Sequence, residues 1–252
     1  MIEIVDLYKS FSGQPVLQGL SLRVAKGKTL VILGGSGVGK SVLLKHIIGL
    51  LRPDSGHIYV DGQDMCCLRP WELRESRKKF GMLFQGSALF DSMTVGENVA
   101  FPLREHSRMR EREIQARVKD LLAKVGLHGV EGKYASELSG GMRKRVGLAR
   151  ALILEPEIVL FDEPTTGLDP IMRDVINRLI LSTQKRLALT FVIISHDVKS
   201  AFQLAHGIAF LYKGKIMIQG SPEEIRACRD PILQQFLAGS AEGPMTAAEL
   251  EA

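Results

Sequence analysis

Cysteine is scarce in this chain: three residues in 252, two of them adjacent at Cys66 and Cys67. An odd count containing a neighbouring pair offers no framework of bridges, so a disulfide-stapled fold is excluded and a reduced, cytoplasmic setting is expected. Long hydrophobic runs are missing as well. The longest, such as residues 158–161 and 191–194, fall far short of the ~20 residues that a spanning helix needs. The opening MIEIVDLYKS carries Glu3 and Asp6 and no apolar stretch, so no signal peptide is expected. There is no internal repeat and no low-complexity tract. What is present is ordinary for a folded chain, 45% hydrophobic and 24% charged, and long enough to bury a core as one large domain or two small ones. Lys+Arg outnumber Asp+Glu by 33 to 28, a net +5. An excess that small suits nucleic acid, an anionic lipid surface or phosphate ligands, and chooses none of them.

Short apolar segments alternate with helical patterns, which predicts an α/β architecture. Residues 2–5, 20–24 and 57–60 are β-rich and separated by turn signals such as Ser12-Gly13 and Asp61-Gly62, the pattern of an antiparallel layer. Residues 29–33 (TLVIL), 158–161 (IVLF) and 191–194 (FVII) are continuous runs rich in β-branched residues, as in parallel strands buried on both faces. Between about 87 and 155 helices dominate. Ile114, Val118, Leu121, Leu122 and Val125 recur at helical spacing, and a second helix is expected over 141–154, stopping before Pro156. The expected organisation is a domain over 2–238, with its core at about 2–86 and 156–238 and a helical insertion at about 87–155. A flexible tail is expected over 239–252.

Gly34-Gly35-Ser36-Gly37-Val38-Gly39-Lys40-Ser41 fits GxxxxGK[ST] between strand 29–33 and a helix expected over 42–49. Glycines let successive N–H groups turn around phosphate oxygens without side-chain clashes. The helix N-terminus adds partial positive charge. Lys40 is positioned to bridge β- and γ-phosphates, and Ser41 to offer its hydroxyl to Mg²⁺. A second signal is the strand 158–161 running into Asp162-Glu163-Pro164. Asp162 is a hard oxygen ligand suited to Mg²⁺, directly or through water. Glu163 suits a general base acting on the attacking water. These two signals predict an ATP or GTP site with Mg²⁺ in a P-loop NTPase (RecA-like) core, and leave kinases, GTPases, helicases and transport ATPases open.

Leu138-Ser139-Gly140-Gly141-Met142 narrows the choice. With it, the chain resembles the ABC (ATP-binding cassette) ATPase family over about residues 2–238, whose signature is LSGGQ. The resemblance implies ATP and Mg²⁺ as cofactors, and an antiparallel β subdomain and a helical subdomain around the core. It also assigns roles: Gln85 as the Q-loop glutamine at the metal, Asp169 in the D-loop, His196 as the switch histidine, and Phe11 as the aromatic stacked on adenine. In this family Ser139 and the N–H groups of Gly140 and Gly141 face the γ-phosphate held by a second copy, so a homodimer sharing its sites is implied. Met142 departs from the family glutamine, and an altered hydrogen-bond network is expected around it.

LSGGM, with LFQGSALFD (83–91) and NVAFPLREH (98–106), is similar to the ATPases of Mla/Mce-type phospholipid transporters. That similarity implies an integral-membrane permease as partner, with Mce-domain and STAS-domain subunits in some systems. It also implies a place on the inner face of the cell membrane. Ala88, Leu89, Phe90, Met93, Val95 and Phe101 are candidates for a groove that takes a permease helix. Arg104, His106, Arg108, Arg110 and Arg112 form a basic run beside it, suited to anionic headgroups or to plain solvation. The alternatives are another ABC importer, such as one for polar amino acids, or a soluble ABC ATPase acting on nucleic acid. Against the last, the interval from Lys40 to Ser139 leaves no room for a long coiled coil, and no nucleic-acid partner is expected. Cys66, Cys67 and Cys228 have no metal-type spacing and receive no role.

Overall fold

The structure, a computed structural model, describes residues 1–245. The first half of the chain contains β1 (Ile2–Phe11), β2 (Gln14–Val24), β3 (Thr29–Leu33), α1 (Lys40–Ile47), β4 (Ser55–Val60), β5 (Gln63–Asp64), α2 (Pro70–Arg77), β6 (Phe80–Leu83), α3 (Val95–His106) and α4 (Glu111–Lys124). A 3₁₀ turn (Ala135–Glu137) leads to α5 (Gly140–Leu152), β7 (Ile158–Asp162), α6 (Pro170–Leu187), β8 (Thr190–Ser195) and α7 (Val198–Leu204). Then follow β9 (Gly207–Tyr212), β10 (Lys215–Gly220), α8 (Pro222–Ala227) and α9 (Pro231–Ala238). Over the described residues these elements form two compact units, residues 1–77 with 190–245 and residues 78–189. Strands β6 and β7 thus group with the helices between them.

The first unit holds an antiparallel sheet in the order β2-β1-β4-β5 and a run of strands in the order β10-β9-β3-β8. Three of its hairpins turn on two residues: Ser12-Gly13, Asp61-Gly62 and Lys213-Gly214, all six at positive φ. Positive φ at both central positions is the type I′ turn, whose twist matches that of the flanking strands. β3 pairs in parallel with β8 and with β9. Every residue of β3 and β8 is buried, so both read as unbroken apolar runs. β1 and β2 extend well beyond the segments expected from sequence, because their outer halves carry exposed polar residues where the chain reads as loop.

The second unit pairs β6 with β7 in parallel, Phe80 opposite Ile158 and Leu83 opposite Phe161. Its helices start on recognisable caps. Thr94 and Glu97 form a reciprocal capping box at α3, Ser139 caps α5, and Asp169 caps α6 ahead of Pro170. α4 buries Ile114, Val118 and Leu122 and exposes its charged face.

Residues 239–245, expected to belong to a flexible tail, are tied back to α9. Gln235 donates to the Met245 carbonyl at 3.1 Å and accepts from its N–H at 2.7 Å, and the Met245 side chain is buried. A buried methionine and two backbone groups satisfied by one amide hold this segment, which composition alone does not reveal. The rest of that expected tail, 246–252, lies outside the described residues. Among the described residues no helix is long and apolar enough to cross a membrane.

Candidate active site

In the first unit, β3 delivers the chain from the buried sheet into Gly34 and α1 takes over at Lys40. The loop between them has no room for side chains at two points. A Cβ on Gly34 would stand 2.5 Å from the Leu211 carbonyl oxygen. One on Gly39, at φ +100°, would stand 3.0 Å from Leu17 Cδ2 and 3.2 Å from the Val16 carbonyl. Lys40 is buried, and its Nζ donates to the carbonyls of Gly34 at 2.8 Å and Gly35 at 2.5 Å. Its ammonium therefore lies inside the curve of the loop. Ser36, Gly37 and Ser41 are exposed, while Gly35 and Val38 are half-buried. A buried cation, a hydroxyl and the first N–H groups of a helix, lined by glycine, make a donor set that fits a polyphosphate with its Mg²⁺.

Two more expected residues belong to this unit. Phe11 ends β1 with its ring exposed, and the Lys9 ammonium lies 5.4 Å from the ring centroid. His196 is exposed immediately after β8. Its neighbour Asp197 turns the chain into α7, accepting from Ser200 N–H at 3.2 Å.

The second unit carries the carboxylates. β7 ends at Asp162, and Glu163 follows at φ +47°, a left-handed conformation that costs a side-chain-bearing residue ~1–3 kcal/mol. The Thr166 hydroxyl donates to Glu163 Oε2 at 2.8 Å and fixes the carboxylate. Asp162 and Glu163 are both half-buried. Gln85 is exposed at the start of a sharp turn in which Ser87 and Ala88 adopt positive φ.

What holds that turn comes from elsewhere in the sequence. Lys144 on α5 is buried, and its Nζ donates to the Gln85 carbonyl and, at 3.4 Å, to the Glu163 carbonyl. Burial holds this ammonium below the ordinary lysine range, with Asp162 and Glu163 acting in the opposite direction. Arg150 donates to the carbonyls of Ser87 and Ala88, both at 2.7 Å. Buried Asn98 accepts from Phe90 N–H at 2.8 Å and donates to the carbonyls of Phe90, Met93 and Thr94. Asn98 opens the segment 98–106 singled out in the sequence, though without this role, and none of Lys144, Arg150 or Thr166 is marked by a sequence motif. The signal for Lys144 is helix phase: of three consecutive cations, Arg143, Lys144 and Arg145, it alone shares the small, buried stripe of Gly141, Leu148 and Ala151.

Ser139 caps α5, accepting from Met142 N–H at 3.3 Å. The Met142 departure thus leaves the backbone of the turn intact. A Cβ on Gly141 would stand 2.4 Å from Met172 Cε, so glycine there lets α5 lie close against α6. Asp169 Oδ1 accepts from the N–H groups of Ile171 and Met172, both at 3.0 Å. Of the expected groove residues, Val95 is buried and belongs to the core. Ala88 and Phe90 are exposed, and Leu89, Met93 and Phe101 are half-buried. In the basic run, Arg104 is paired with Glu111 at 2.5 Å.

The sequence profile of the ABC transporter family matches residues 17–166. The chain belongs to that family. It is an ABC-type ATPase cassette. Over 248 residues it is 43% identical to the probable ribonucleotide transport ATP-binding protein mkl of Mycobacterium tuberculosis, covering 98% of this chain and 69% of that protein. Over 245 residues it is 42% identical to the intermembrane phospholipid transport system ATP-binding protein MlaF of Haemophilus influenzae, covering 97% and 93% respectively. A solved dimeric post-hydrolysis state of an ATP-binding cassette, bound to ADP and Pi, matches with a TM-score of 0.81 and 30% identity, covering 88% of this chain and 99% of that one.

Proposed function

We propose that this chain is the ATP-hydrolysing subunit of a phospholipid transporter. It acts as a homodimer that drives a membrane permease from the inner face of the cell membrane. The observation that carries the lipid reading is the nearly end-to-end match to the phospholipid transport protein of H. influenzae. The relative named for ribonucleotide transport is matched over a smaller share of its length.

In this reading the loop from Gly34 to Ser41 wraps the phosphates with its N–H groups, Lys40 holds the β- and γ-phosphates, and Phe11 stacks on adenine. Ser41, Asp162 and Gln85 hold Mg²⁺, which when bound neutralises charge on the phosphates. Glu163 accepts a proton from the attacking water, its carboxylate oriented by Thr166. His196 orients the γ-phosphate. Ser139, with the N–H groups of Gly140 and Gly141, closes on the phosphate held by the second copy, and Asp169 lies along that dimer contact. Lys144 is a positioning residue, acting through the carbonyls of Gln85 and Glu163. Coupling follows because binding across the dimer favours the closed state over the open one. The exposed Phe90, whose ring centroid is 5.1 Å from that of Phe101, is the face assigned to the permease. Mce-domain and STAS-domain subunits complete the proposed assembly. The core over 2–86 and 156–238 and the helical subdomain over 87–155 remain the proposed functional division.

Glu163→Gln tests the chemistry. It should retain ATP binding and dimerisation while turnover falls by roughly 10²–10⁴-fold; unchanged turnover removes Glu163 as the base. Ser139→Ala should keep ATP binding and lose hydrolysis, and full-rate hydrolysis by a monomer would end the shared-site reading. For the cargo, the complex purified with its permease should carry phospholipid and move a labelled phospholipid between vesicles on ATP addition. ATP-driven movement of a ribonucleotide or an amino acid instead would overturn the lipid assignment.

A further inference from the structure

The β4–β5 hairpin gathers three side chains of different chemistry. His57 Nδ1 lies 2.7 Å from Asp64 Oδ2, and Cys67 Sγ lies 3.2 Å from the same oxygen. All three donor atoms fall within 4.8 Å of one another. The hairpin register produces this meeting. Tyr59 pairs with Asp64, and Met65 N–H donates to the Ile58 carbonyl at 2.8 Å, which brings the stretch after Asp64 alongside His57. None of the three residues belongs to the nucleotide machinery.

We infer that His57, Asp64 and Cys67 form a binding site for a borderline-soft divalent cation of the zinc class. Imidazole nitrogen, carboxylate oxygen and thiolate sulfur are the ligand types zinc takes, and three protein ligands with one open position is a recurring arrangement. With metal–ligand distances of about 2.0–2.3 Å, tetrahedral donor atoms stand about 3.4 Å apart. The two separations from Asp64 Oδ2 stand within about 1 Å of that spacing, and the side chains of His57 and Cys67 are exposed.

The carboxylate is already fixed for the task. Its second oxygen, Oδ1, accepts from Cys66 N–H at 2.9 Å, the kind of outer contact that orients a ligating carboxylate. The His57 ring stacks on Tyr59, centroids 5.9 Å apart and planes inclined by 23°. Burial works to raise the Asp64 pKa, but the hydrogen bonds from Cys66, His57 and Cys67 outweigh it and keep the group ionised. The Cys67 thiol is held above its ordinary range by its bond to Asp64. Loading the site therefore releases the thiol proton to solvent and needs a bare Nδ1 on His57, so the proton shared with Oδ2 passes to Nε2 or to solvent, and the cation takes the place on Oδ2 that the two hydrogen-bonding protons held. Binding strengthens as pH rises. The consequence is a clip on the sheet edge: β5 is the outermost strand, only two residues long, and the cation ties it to β4.

The test uses the reduced full chain, stripped with chelator and free of nucleotide and Mg²⁺, titrated with Co²⁺. The expected result is a thiolate-to-cobalt charge-transfer band in the near ultraviolet, saturating at one equivalent and erased by added Zn²⁺. Cys67→Ser should abolish the band, and His57→Gln should weaken Zn²⁺ binding about tenfold or more. Cys228→Ser should leave both unchanged. Zn²⁺ should raise the unfolding temperature of the wild type and not of Cys67→Ser. Absence of the band, its survival in Cys67→Ser, or its loss in Cys228→Ser would reduce the trio to a surface hydrogen-bond cluster. ATP binding by each variant verifies that it is folded.

Discussion

The phosphate loop of the first unit and the turn after Gln85 in the second are both tight segments at the end of a buried parallel strand, yet they are held in different ways. The phosphate loop is shaped mainly by its own backbone. Its shape comes from glycines, and Lys40 reaches back to the carbonyls of Gly34 and Gly35. The turn after Gln85 depends on distant side chains: Lys144, Arg150 and Asn98 satisfy its carbonyls from α5 and α3. One is built by local conformation, the other by side chains brought in through tertiary packing. Damage to the first should therefore appear as lost binding, and damage to the second as lost turnover.

The largest expected effect is Gly39→Ala. A side chain at φ +100° pressed against Val16 and Leu17 should distort the loop and weaken ATP binding by roughly a hundredfold, about 3 kcal/mol, as measured by calorimetric titration. Tight binding by this variant would break the comparison. Next, Lys144→Met removes a donor from two carbonyls, a loss of ~1–3 kcal/mol for each group left unsatisfied. Turnover should fall roughly tenfold to a hundredfold with the KM for ATP unchanged, and Lys144→Arg should recover part of it. A raised KM with normal kcat would put Lys144 in the wrong region. Thr94→Ala removes the cap of α3, which packs beneath the same turn, and should cost ~0.5–2 kcal/mol in thermal unfolding with binding intact.

The smallest effect concerns His46, on the helix behind the phosphate loop. Its Nδ1 contacts the Val42 carbonyl at 2.8 Å, and its Nε2 is buried with no hydrogen-bond partner. Burial lowers its pKa from the ordinary 6.5. Below that value the unfolded chain takes up the proton before the folded one does, so stability falls as pH drops through 6.5 towards the lowered folded value. His46→Gln should flatten the melting temperature against pH in that window. An unchanged slope would assign the acid sensitivity to other groups.

The same contrast explains what the sequence made legible. The phosphate loop, the carboxylates after β7 and the turns at Ser12-Gly13 and Asp61-Gly62 announce themselves because each is made by neighbouring residues. Lys144 does not, because only the rotation of a helix separates it from Arg143 and Arg145. Helices α6, α8 and α9 begin with Asp169-Pro170, Ser221-Pro222 and Asp230-Pro231, a start signal that is present in the sequence. β10 alternates exposed and half-buried residues on a sheet edge, and its apolar content is too weak to separate it from loop. The anchoring of 239–245 rests on one amide, Gln235, whose reach depends on where α9 ends.

The backbone at Glu163 has one further consequence. A chain selected for folding alone would place glycine or asparagine at φ +47°, where either is at ease. Carrying glutamate there keeps the protein below the stability its own topology permits, at the very residue proposed to take the proton from water. Stabilising this cassette by relieving that position would therefore produce a hardier fold without its chemistry.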